Sequence, residues 1–137
     1  MDIIEMIREL YGDSCVFCPP LVESRYNEAN ELVFEELFEV LKISNGIKET
    51  MKFPNQEERI VIGWIIYPLD DIKSQTEHYI NEYSGEGVVF VGNGAGGFFI
   101  LKSDGKVYIR EYFDEDEELY SDSLAEYFRK WHCPKSE

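Results

Sequence analysis

At 137 residues, with 44% hydrophobic and 15% aromatic residues spread along its length, the chain has the size and apolar content of one folded domain, which excludes a disordered acidic tail. Asp and Glu number 28 against 13 Lys and Arg, a net charge of −15, so nucleic acid and anionic membrane surfaces are repelled and a basic protein partner is favoured. The same charge also serves solubility. Three cysteines suit a reducing compartment, no basic leader opens the sequence, and no apolar run approaches the length of a membrane span, so the expected location is cytoplasmic.

Ile3, Ile7, Leu10 and Tyr11 fall at i, i+4, i+7 and i+8, the stripe of a short amphipathic helix, and Gly12 stands where it would close. Cys15 and Cys18 form a C-x-x-C, with His132 and Cys133 near the other end of the chain. The adjacency of that second pair and the lack of another spaced pair argue against zinc. Pro19-Pro20 directly after Cys18, with no apolar strand leading in, argue against a redox motif. The thiols are read as packing groups, and no metal or cofactor is expected.

Residues 21–44 carry the longest helical pattern. Val22, Tyr26, Ala29, Val33, Leu37 and Val40 make its apolar face, Phe34, Phe38 and Leu41 widen it, and Glu28, Glu31, Glu35, Glu36 and Glu39 form a solvated face. Asn45-Gly46 is expected to end it as a left-handed cap. Residues 48–58 are polar, include Pro54-Asn55, and read as a loop. Residues 59–67, RIVIGWIIY, read as a central strand covered on both faces. Pro68 stops that strand, and Asp70 or Asp71 is placed to cap a helix bearing Ile72, Thr76, Tyr79, Ile80 and Tyr83, ended by Gly85. His78, in that helix, has no second histidine or cysteine at helical spacing and reads as a surface residue.

Gly92, Gly94 and Gly97 match the dinucleotide fingerprint G-x-G-x-x-G, with an apolar run before them and Glu111 and Asp114 about twenty residues on. That pattern holds a pyrophosphate only if the third glycine opens a helix. Here the strand-like run Phe98-Phe99-Ile100-Leu101 follows instead, then Ser103-Asp104-Gly105-Lys106, read as a two-residue hairpin turn, then a second strand-like run over residues 107–113. Three antiparallel strands joined by a glycine turn and a tight hairpin are predicted. A nucleotide-binding enzyme survives only if Gly97 starts a helix.

Asp114, Glu115, Asp116, Glu117 and Glu118 pack five carboxylates in succession. So dense a run repels itself and is expected to stay in water, linking the hairpin to the last helix; it is the candidate partner-binding site. Ser123-Leu124-Ala125-Glu126 is a capping box, and Leu124, Tyr127, Phe128 and Trp131 give the stripe of a final helix. No H-E-x-x-H, G-x-S-x-G, P-loop or protein-kinase signature is present, and carboxylates this abundant and solvated do not single out a general acid. The chain reads as a binding protein with no catalytic residue.

The order of a helix ending Leu41-Lys42-Ile43-Ser44-Asn45-Gly46, a strand, Ile66-Tyr67-Pro68-Leu69-Asp70-Asp71-Ile72, a glycine-rich turn, Asp104-Gly105-Lys106-Val107-Tyr108 and a final helix resembles the SUKH superfamily. That superfamily joins bacterial toxin-immunity proteins and the fungal Smi1/Knr4 cell-wall regulators, and the likeness spans residues 31–131. It implies an α+β domain whose mostly antiparallel sheet of four or five strands is flanked by helices. It also implies an immunity protein that binds and neutralises a cognate toxin, often a nuclease, in the cytoplasm; the chain itself is expected to be a monomer or weak homodimer. Asn45, Gly46, Gly97 and Gly105 match as backbone-geometry positions, and the family offers no catalytic residues to transfer. Typical members break the first helical region with a Leu-Pro loop, whereas residues 21–44 run without one. A regulatory scaffold of the Smi1/Knr4 kind is the rival function.

Overall fold

The computed structural model describes residues 2–112, 114 and 116–132. Among these, β1 (Cys15–Phe17), β2 (Ile47–Met51) and β3 (Ile60–Ile66) form one antiparallel sheet in sequence order. A second antiparallel sheet joins β4 (Val88–Gly92), β5 (Phe98–Leu101), β6 (Val107–Arg110) and β7 (Glu118–Ser121), again in order. With five helices the class is α+β, as expected, although the strands divide between two sheets. The sheets meet where the Tyr67 amide donates to the Phe90 carbonyl at 2.9 Å. No helix among the described residues is long and apolar enough to cross a membrane.

Helix α1 (Ile3–Tyr11) buries Ile3, Ile4, Met6, Ile7 and Tyr11; Asp2 caps its first turn and Gly12, at φ 54°, ends it. It packs on α5 (Leu124–His132), whose Glu126 amide donates to the Ser123 hydroxyl at 3.0 Å. Leu124, Tyr127 and Phe128 bury the α5 face, while the side chain of Trp131 is outside the described set.

Residues 21–44 are not one helix. The chain runs extended past Pro19 and leaves Val22 exposed. It then forms α2 (Tyr26–Leu32) and α3 (Glu35–Ile43), parted by extended Val33 and Phe34 at ψ 157° and 158°. A straight helix over that span would be about 36 Å long, roughly the full width of a domain this size. The break lets Ala29, Val33, Leu37 and Val40 all reach one core.

The cap is also different. Ser44, not Asn45, ends α3, with extended backbone, and the positive φ of 100° falls on Gly46. Asn45 instead turns its side chain outward from the helix end: its Oδ1 accepts the Leu69 amide at 2.8 Å and caps α4 (Leu69–Tyr83). Asp70 and Asp71 stay in the first turn without capping, Asp70 pairing with Arg25 at 2.7 Å. Ser84, at φ 55°, ends α4 one residue before Gly85.

Two expectations about the first sheet are corrected. The polar stretch read as a loop, residues 48–58, contains all but the first residue of β2, the middle strand, in which Ile47 and Thr50 are buried while Lys48 and Glu49 are half-buried. The apolar stretch read as central is β3, an edge, whose Ile65 and Ile66 are buried but whose Ile60, Val61 and Ile62 are 40%, 57% and 46% exposed.

The second sheet is covered on both faces. Phe90 and Phe99 face the main core and stack edge-on against Tyr127, while Val89 and Ile100 face α4 through Tyr79. Thr76 fixes that side by accepting the Val89 amide at 3.0 Å. No helix follows Gly97: residues 93–97 turn the chain directly into β5, so the helix N-terminus that a dinucleotide needs is not formed. The β5–β6 loop has three residues rather than two. Lys102 and Lys106 still pair across it at 3.1 Å, and Gly105 takes φ 81°, the left-handed position of a bulged hairpin.

Candidate partner-binding surface

The acidic stretch leaves β6 and enters β7, a strand the sequence reading missed, on the outer edge of the four-stranded sheet. Glu118 is the first residue of β7, opposite Ile109, and is exposed, as is Asp116; Asp114 is half-buried and its amide donates to the Glu111 carbonyl at 3.2 Å. Glu115 lies outside the described residues.

Glu117 contradicts the solvated reading. Its carboxylate lies 2.5 Å from Lys102 Nζ, with side chains only 16% and 26% exposed, and it accepts the hydroxyl of buried Tyr79. Burial, then Glu117, pushes the Tyr79 phenol well above its ordinary range, so that it serves as a donor. Lys102 also lies 4.7 Å from the Tyr108 ring centroid, and Arg110 stacks 4.0 Å over Tyr83 beside it. Self-repulsion within the run is thereby relieved at one carboxylate, and the stretch is pinned to the sheet at its middle.

What remains is a smaller set, exposed Asp116 and Glu118 with half-buried Asp114, none with an ion-pair partner among the described residues. Two exposed apolar side chains stand in the same stretch of chain, Tyr112 at 77% and Leu119 at 51%. Sequence reading missed both. Their signal was an aromatic and a leucine inside an otherwise charged segment, the composition of an interface anchor within a polar rim.

The turn glycines support this surface. Asn93 Oδ1 accepts the amides of Ala95 and Gly97 at 2.8 and 2.9 Å, and Asn93 Nδ2 donates to Glu111 at 2.7 Å, tying the turn to the strand that leads into the acidic stretch. Gly94 has φ 81°, whereas Gly92 and Gly97 are needed for close approach: a Cβ would lie 2.8 Å from the Tyr67 hydroxyl at the first and 2.5 Å from the Arg110 carbonyl at the second.

The helical glutamates are partly committed to the fold. Glu28 binds Arg25 at 2.9 Å and Lys73 at 3.3 Å, and Glu39 binds Lys42 at 2.7 Å, while Glu31, Glu35 and Glu36 stay exposed. Cys15 and Cys18 are half-buried free thiols, Cys133 lies outside the described residues, and no group of three or more His, Cys, Asp or Glu among the described residues could hold a metal ion. His78 is exposed, its ring edge-on to Tyr83.

No protein-family model and no curated protein matches this chain.

Proposed function

We propose that this protein is a non-enzymatic immunity protein of the SUKH kind that binds and neutralises a basic bacterial toxin, a nuclease in its chemistry, within the cytoplasm. The observation that carries the reading is that Asp114, Asp116 and Glu118, with no ion pair among the described residues, share one stretch of chain with exposed Tyr112 and Leu119, a stretch held on a sheet edge by the Glu117–Lys102 pair. A toxin that handles nucleic acid carries a cationic cleft, and a chain of net charge −15 is steered to it and competes there with phosphate. The apolar pair supplies area to bury once the charges have aligned the two proteins.

The test is co-expression with a nuclease toxin encoded beside this gene, where gene neighbourhood supplies one. Rescue of growth by this chain, with a stable complex of the two purified proteins, supports the reading. Absence of both overturns it in favour of a regulatory scaffold.

A further inference from the structure

The two sheets leave a cleft of about 260 Å³ between β3 and the end of β4. Tyr11 of α1, Tyr127 of α5, Tyr67 and Val91 line it, and Glu49 of β2 is the one charged side chain among the described residues of the lining. The register sets Glu49 opposite Gly63, on one side of the sheet. A Cβ on Gly63 would meet nothing within 4 Å, so the space beside the carboxylate stays open. Lys48 and Trp64 form the next pair and belong to the other face.

Two polar groups of the lining have no partner. Tyr127 is only 2% exposed, with its ring edge-on to Phe90 and Phe99, yet its hydroxyl makes no hydrogen bond among the described residues. No side-chain oxygen or nitrogen sealed from solvent lacks a partner among those residues, so this hydroxyl opens on the cleft. Phenylalanine would stack as well without desolvating an oxygen, and the hydroxyl therefore costs stability unless something binds it. The half-buried Glu49 carboxylate likewise has neither an ion pair nor a hydrogen bond among the described residues. Arg8, on α1, lies 4.8 Å from the Phe17 ring centroid instead. Burial first, then Glu49, pushes up the Tyr11 phenol; burial first, then Tyr11, Tyr120 and Glu49, pushes up that of Tyr127. The two phenols are thus neutral and both feel the same carboxylate.

We propose that this cleft binds a small organic cation, a guanidinium or primary ammonium on a short apolar stem, whose N–H groups donate to the Glu49 carboxylate and the Tyr127 hydroxyl oxygen. The stem lies along Val91 and the tyrosine rings, which favour a cation over a neutral group. One carboxylate among phenols lacks the donor set of a metal ion, and an anion is repelled by Glu49. The volume suits such a ligand, since a cavity of roughly 150 Å³ already admits a benzene ring.

The probe is n-butylguanidinium, titrated into the isotope-labelled full chain and followed by NMR, with butanol and butyrate as the neutral and anionic controls. Saturable shifts at the amides of residues 49, 63 and 91–94 are expected, with a dissociation constant of about 1 mM or tighter, and none with either control. Glu49→Gln should weaken binding about tenfold or more, and Tyr127→Phe about threefold or more. Tyr127→Phe should also unfold at a temperature no lower than the parent, because it removes an oxygen that has no partner in the free protein. Capped arginine, N-acetyl-arginine methylamide, separates the two sources of such a group. Tighter binding than butylguanidinium assigns the cation to a partner's arginine and weaker binding to a free molecule, and both sustain the site. Equal binding of butanol, shifts away from the cleft, no saturation, or indifference to Glu49→Gln would overturn the proposal. So would a loss of stability in Tyr127→Phe, which would show that the hydroxyl is already paired. The titration uses no toxin, so its failure and the failure of the immunity reading are told apart.

Discussion

Lys102, just beyond β5, reaches across the hairpin to set its Nζ 2.5 Å from the carboxylate of Glu117. With Tyr79 donating to the same carboxylate from α4, three elements converge on one side chain in the middle of the acidic stretch. The account of the surface depends on this division between one structural acid and its outward-facing neighbours.

The two kinds of acid should separate in an unfolding experiment. Glu117→Ala leaves the Lys102 ammonium and the Tyr79 hydroxyl without their acceptor, at a cost of roughly 1–3 kcal/mol in urea denaturation. Asp114→Asn, Asp116→Asn and Glu118→Gln together should stay within about 0.5 kcal/mol of the parent, or gain slightly from relieved repulsion. Equal losses for both variants would contradict the division.

Asn45 should behave as a helix cap supplied from a distance. Asn45→Ala removes the acceptor for the Leu69 amide and is expected to cost about 1 kcal/mol, while Asn45→Asp should retain most of the stability. Denaturation midpoints of the two variants check this. If alanine and aspartate lose alike, the left-handed cap first read from Asn45-Gly46 would regain its place.

The hairpin carries a pH signature. The Lys106 amide, at 2.9 Å, and the Tyr108 hydroxyl, at 2.8 Å, hold the Asp104 carboxyl below its ordinary range. A depressed folded-state pKa contributes stability that is present above the unfolded value, about 3.9, and is lost as pH falls through the folded one. An NMR titration should therefore place the Asp104 midpoint below about 3.9, with the Lys106 amide shifting in step. Asp104→Asn should abolish that step, and an unshifted midpoint would show that the turn does not use the charge.

Much of the architecture was legible because it is local. The stripes at Ile3, Ile7 and Tyr11 and at Leu124, Tyr127 and Phe128 place two helices, and the run after Gly97 excludes the dinucleotide helix without any tertiary information. What escaped depends on partners distant in sequence. The break at Val33 and Phe34 answers to the width of the core, the middle position of polar β2 is set by its two neighbours, and the edge position of apolar β3 by the lack of a second one. The same holds at the surface: nothing adjacent to Glu117 distinguishes it from Asp116, and only the approach of Lys102 and Tyr79 does.

The measurement that bears most directly on the proposed function is stopped-flow association with a toxin shown by co-expression to be its partner, at low and moderate salt. The parent is compared with the variant carrying Asp114→Asn, Asp116→Asn and Glu118→Gln. Peripheral charge acts on encounter rather than on residence, so the variant should associate about tenfold more slowly at low salt, lose most of its salt dependence, and dissociate at nearly the parental rate. An unchanged association rate with an unchanged salt slope would contradict the assignment of this acidic edge as the surface that meets the toxin.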